Sequence, residues 1–128
     1  MRIPYKILLA MLAGAAFGAT LNGLHAQGKP GAYAIVDISE ITDPDLFKTL
    51  LPKAIPATSA YGGQLLTTTE NVVVLEGGGT PPKRLALIAF DNLDKVREWY
   101  KSPLQEEINA IRQKSSKARV LAVDARLP

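Results

Sequence analysis

Two periodicities divide the chain. Segments rich in β-branched and aromatic residues, "AYAIVDISE", "QLLTTTENVVVLE", "RLALIAF" and "ARVLAVDAR", read as strands. The second reads as one or two strands, with Glu70-Asn71 as a bend. Between them, apolar residues recur at helical spacing. Leu46, Leu50 and Ala54 form one such stripe, with Phe47 and Leu51 beside it. Leu93, Val96 and Tyr100 form a second, and Leu104, Ile108 and Ile111 a third. The order is β-α-β(β)-β-α-α-β, which predicts an α+β, ferredoxin-like βαββαβ antiparallel sheet with its helices on one face.

Punctuation residues sharpen these elements. Asp43 is placed as an N-cap, with Pro44 at the first helical position and Asp45 at the positive helix end. Pro52 and Pro56 lie inside the segment that runs to Gly62-Gly63, so a kink or an early stop is expected there. Asp91 or Asn92 caps the next helix. Ser102-Pro103-Leu104-Gln105 fits a capping box, so the chain breaks after Trp99-Tyr100-Lys101 and restarts as a second helix. "GGGTPP", residues 77–82, is a loop, and it lacks the spacing and the following helix of a phosphate loop.

Three strands are apolar on both faces. Tyr33 and Ile35 oppose Ala34, Val36 and Ile38; Leu85 and Leu87 oppose Ala86, Ile88 and Phe90; Val120 and Ala122 oppose Leu121 and Val123. A sheet with one wet face alternates between apolar and polar. Helices cover one face, so a second copy of the sheet is expected to cover the other, giving a homodimer in the manner of a dimeric α+β barrel.

The start of the chain changes the reading of charge and location. "MRIPYK" is basic, "ILLAMLAGAAFGA" is apolar and shorter than the roughly 20 residues of a membrane span, and Ala26 stands at a cleavage position. Residues 1–26 are therefore read as a signal peptide, 27–32 as a flexible lead-in and 33–128 as the domain. The expected location is periplasmic or secreted, with no membrane association after cleavage; a retained N-terminal anchor is the alternative. The whole chain carries 15 basic and 12 acidic residues; loss of Arg2 and Lys6 with the leader leaves 13 and 12, net +1. Without a clustered positive surface, no nucleic-acid partner is expected.

The chain has no cysteine, and its one histidine, His25, lies in the leader. Thiolate nucleophiles, Ser–His–Asp triads, Cys/His zinc sites and His-ligated haem have no residues to build them. No metal and no cofactor are expected.

These same stretches resemble a family. "AYAIVDISEITDPDLF", "SAYGGQLL", "VLEG", "PPKRLALIAF", "REWYKSP" and "ARVLAVDA" are similar to the domain-of-unknown-function family 1330. The resemblance covers about Tyr33 to Asp124. It implies a dimeric α+β barrel, a superfamily that holds cofactor-free monooxygenases, isomerases, dehydratases and haem proteins, and it implies no particular reaction. The sequence departs from the family pattern at Ala89, Gly78, Gly79, Leu104 and Gln105. Carboxylates and aromatics are usual there, at positions that would line a polar pocket.

The candidate ligand-binding residues are Arg84, Trp99, Tyr100, Ser102, Glu76 and Tyr33. Trp99 and Tyr100 read either as helix–sheet packing or as the wall of a pocket for a flat or apolar ligand. Arg84 is either a surface cation or the anchor of a carboxylate or enolate. Glu76 is placed at a strand end, where it pairs with Arg84, stays solvated or serves as a base. Ser102 is a cap rather than a nucleophile, since no histidine remains to activate it. Tyr33 is a core or dimer-contact residue with a phenol in reserve. The functional expectation is a small molecule bound between helices and sheet. A cofactor-free enzyme acting on an enolisable or carbonyl substrate and a structural or partner-binding dimer are the alternatives.

Overall fold

A computed structural model describes residues 29–127. The leader expected at residues 1–26, with His25, lies outside the described residues. Strand β1 (Ala32–Ile41) leads to a one-turn helix α1 (Pro44–Phe47) and helix α2 (Leu50–Ala60). Strands β2 (Gln64–Thr69) and β3 (Arg84–Phe90) follow, then helices α3 (Leu93–Lys101) and α4 (Pro103–Ser115), and strand β4 (Ser116–Asp124). The four strands form one sheet in the order β2-β3-β1-β4, and every neighbouring pair is antiparallel. This is the α+β, ferredoxin-like arrangement read from the pattern.

Register shows how period-two alternation makes two faces. Ala32, Ala34, Val36 and Ile38 of β1 lie beside Phe90, Ile88, Ala86 and Arg84 of β3. That row meets the helices. Its apolar members bury a core with Val96 and Trp99 of α3, and the rings of Phe90 and Trp99 lie 5.3 Å apart. Tyr33, Ile35 and Asp37 share the opposite face with Ala89, Leu87 and Leu85 of β3, and with Val123, Leu121 and Arg119 of β4. No described helix covers that face: Leu121 is 37% and Val123 40% exposed.

The caps behave as their chemistry requires. The Asp43 carboxylate accepts from the Leu46 N–H at 3.1 Å, Asn92 Oδ1 from the Lys95 N–H at 2.9 Å, and Ser102 Oγ from the Gln105 N–H at 3.2 Å. Ser102 Oγ also donates to the Trp99 carbonyl at 2.8 Å, tying the end of α3 to the start of α4.

Several expectations are corrected. The segment after Asp43 is two helices, interrupted at Lys48-Thr49. The break puts Pro52 in the first turn of α2, where an N–H has no partner to lose, and only Pro56 remains inside the helix. Strand β2 ends at Thr69; 71–75 do not pair, and Glu76 stands in an exposed loop rather than at a strand end. Strand β1 starts at Ala32, where the stretch "AYAIVDISE" puts it, and the Gly31 N–H donates to the Phe90 carbonyl at 3.0 Å.

The inward stripe of α4 is also rotated from its expected position. Leu104 is 54% exposed, whereas Gln105, Ile108, Arg112 and Ser115 are buried. On α3 the buried pair is Val96 and Trp99, and Tyr100 lies at the margin. Among the described residues no helix is long and apolar enough to cross a membrane.

Candidate functional site

Between the helix layer and the sheet lies a cavity of about 270 Å³. That is far more than the roughly 10–15 Å³ that holds one water. Val36, Ile38, Ala86 and Ile88 form its floor; α2 supplies Leu50, Leu51, Ala54 and Ile55, and α4 supplies Ile108. The floor is the helix-facing row of β1 and β3. The cavity therefore lies between that row and the α1–α2 segment, which also contributes Phe47. Leu51 and Ile55, both exposed, stand at its rim with Lys48.

Against this apolar lining stand a few polar groups: Thr58, Thr68, Arg84, Trp99, Gln105 and Arg112. Three of their buried polar atoms have no hydrogen-bond partner among the described residues: Arg84 Nε, Trp99 Nε1 and Gln105 Oε1. Each such atom costs about 1–3 kcal/mol when nothing satisfies it. Trp99 is 2% exposed, Gln105 1% and Arg112 6%, so these groups are withdrawn from bulk water.

The orientation of Gln105 follows from its neighbours. A guanidinium only donates. Arg112 Nη2 donates to Asn109 Oδ1 at 2.7 Å, which fixes the carbonyl end of that amide. Asn109 Nδ2 then donates to the Tyr100 carbonyl at 3.1 Å. Gln105 meets the same Asn109 Oδ1, so it must present its amino group, and Nε2 lies 3.1 Å away. Its carbonyl oxygen is the end left over. Gln105 thus keeps one acceptor, and Trp99 and Arg84 one donor each, without a partner among the described residues.

Arg84 reaches the cavity from the first position of β3. Its Nη2 bonds Glu70 Oε1 at 2.8 Å, and its Nη1 bonds Thr68 Oγ1 at 3.3 Å. The carboxylate expected to pair with it, Glu76, lies in the exposed loop and takes no part. Glu70 itself is largely exposed, so this ion pair contributes little to stability, about 1 kcal/mol or less. Burial pushes the pKa of Arg112 below the ordinary guanidinium value, while the Tyr100 phenol beside it acts the other way.

Of the six candidate residues, Arg84 and Trp99 line the cavity. Tyr100 borders a smaller cleft of about 190 Å³ beside β4, with Val96, Trp99 and Val120. Ser102 is buried as a cap, Tyr33 sits half-buried on the uncovered sheet face, and Glu76 is remote. Gln105 and Arg112 were missed. A rule that turns apolar residues inward points them to solvent, although Gln105 is one of the departures from the family pattern. No cluster of three or more His, Cys, Asp or Glu with metal-binding arrangement occurs among the described residues.

Comparison with known proteins supports the architecture. A protein of unknown function from Rhodopseudomonas palustris superposes with a TM-score of 0.57 at 13% identity, covering 86% of this chain and 94% of that one. SnoaB, a cofactor-independent oxygenase from Streptomyces nogalater, gives 0.52 at 13% identity, covering 78% and 97%. A dimeric ferredoxin-like protein of unknown function from Thermobifida fusca gives 0.52 at 14% identity, covering 76% and 92%. At these identities the likeness is one of fold alone. No curated protein matches the chain. The match of residues 31–126 to the family model is direct: the chain belongs to the domain of unknown function 1330 family.

Proposed function

We propose that the protein binds a small, largely apolar molecule in the cavity between its helices and its sheet. One observation carries this reading: Trp99, Gln105 and Arg84, each with a buried polar atom that has no partner among the described residues, line one largely apolar cavity. Binding sites combine an apolar wall with a few placed polar groups in this way. The enzymatic alternative has less support, because the described residues that line the cavity include no carboxylate, imidazole or phenol to move a proton.

Trp99 is the chain's only tryptophan, so its emission reports on the cavity directly. Titration with 1-octanol should shift that emission saturably. Ala86→Phe, which fills the cavity from its floor, should remove the response while leaving the far-UV circular dichroism unchanged. A folded Ala86→Phe protein that still responds would place the ligand elsewhere.

The sheet's uncovered face supports a homodimer. Tyr33, Ile35, Leu87, Leu121 and Val123 present an apolar surface that ends at Leu85 and the Asp37–Arg119 ion pair. A second copy of that surface is the self-complementary cover that two-fold symmetry supplies. The Thermobifida relative is described as dimeric. Export rests on the basic, apolar and small-residue order of residues 1–26. Intact mass of protein from its own host tests it: cleavage after Ala26 supports export, and a full-length soluble cytoplasmic chain refutes it.

A further inference from the structure

The charged residues that line the cavity are all of one sign. Lys48, Arg84 and Arg112 line it, and no aspartate or glutamate does. Glu70 answers Arg84 from outside the lining. Lys48 is exposed and lies 4.0 Å from Asp45. Arg112 differs from both. It is 6% exposed, and no carboxylate among the described residues forms an ion pair with it.

Burying a cation without a counter-charge is costly. Arg112 lies in the last turn of α4, whose C-terminal carbonyls offset part of that cost. Asn109 Oδ1 and the Tyr100 phenol beside it supply neutral acceptors. Together these fall short of a carboxylate, so the site is built one negative charge short.

We propose that the occupant is an organic anion with an apolar body and a single acidic group, seated with that group at Arg112. This rests on the reading of the cavity as a ligand site and adds the sign and place of the ligand's charge. The apolar body lies against Val36, Ile38, Ile88 and Ile108, and the acid meets a guanidinium already withdrawn from water. A charge-assisted hydrogen bond there is about twice as strong as a neutral one.

The test uses three probes of one shape: octanoate, 1-octanol and octylammonium, added to the full chain below micellar concentrations and read by Trp99 emission. Octanoate should bind at least tenfold more tightly than octanol, with octylammonium weakest. Arg112→Met keeps the apolar stem and removes the charge. It should abolish the preference of octanoate over octanol, while Arg112→Lys keeps most of it.

Wild-type protein that binds octanol as tightly as octanoate overturns the anion and leaves the cavity reading standing. A folded Arg112→Met variant that retains the preference also overturns it. If none of the three probes binds, the cavity reading falls and this proposal with it. Should Arg112→Met fail to fold, the wild-type ratio of octanoate to octanol decides alone.

Discussion

Arg112 sets the terms at the scale of single residues. It is buried, lacks a carboxylate and orients Asn109, which in turn orients Gln105. A charge buried without a counter-charge carries a desolvation cost that an apolar residue of similar volume does not. Arg112→Met should therefore raise unfolding stability by on the order of 1 kcal/mol, read by urea denaturation. A loss of several kcal/mol would show that the guanidinium holds the fold rather than a ligand. Arg84 and Trp99 were legible in the sequence because a cation heading an apolar strand and an aromatic pair before a helix break both stand out. Gln105 and Arg112 were not. Hydrophobic periodicity places apolar residues inward, and at a binding cavity the inward positions are the ones that depart from that rule.

At the scale of elements, the interruption between α1 and α2 and the tight turn into β2 shape the cavity's wall. Gly62, at φ +77°, ends α2 in the left-handed conformation that glycine adopts without strain. A Cβ on Gly63 would stand 2.7 Å from both the Phe90 ring and the Thr58 methyl. Gly63→Ala should lower stability by about 1–3 kcal/mol through overpacking, read as a reduced urea midpoint at an unchanged slope. Strand existence, helix existence and three caps could be read from the sequence, because each has a local chemical signal. The split of the first helix was only half legible. Proline marks the strain, but tertiary packing decides whether the chain bends at the proline or restarts ahead of it. The end of β2 at Thr69 was not legible, since "NVVVLE" carries strand-forming residues yet pairs with nothing.

At the scale of the whole molecule, the doubly apolar sheet makes the prediction. Leu121 is exposed on the uncovered face of β4, away from the helix-side core. Leu121→Asp should weaken self-association by at least a hundredfold while leaving the monomer folded, as followed by sedimentation velocity across a concentration series. A wild-type protein that remains monomeric at high micromolar concentration would remove the dimer from the account. The two-faced strands that raise this expectation were visible in the bare alternation of residues, which is why the fold was the most legible level.

Adjacent residues of the same strands serve opposite duties: Val36 and Ala86 wall the cavity, while Ile35 and Leu87 lie on the reverse side. Two subunits joined back to back would each keep their own chamber on the outer flank, with both sheets as a partition between them. Loading and emptying one chamber would then need no parting of the pair, and each would fill without regard to its twin.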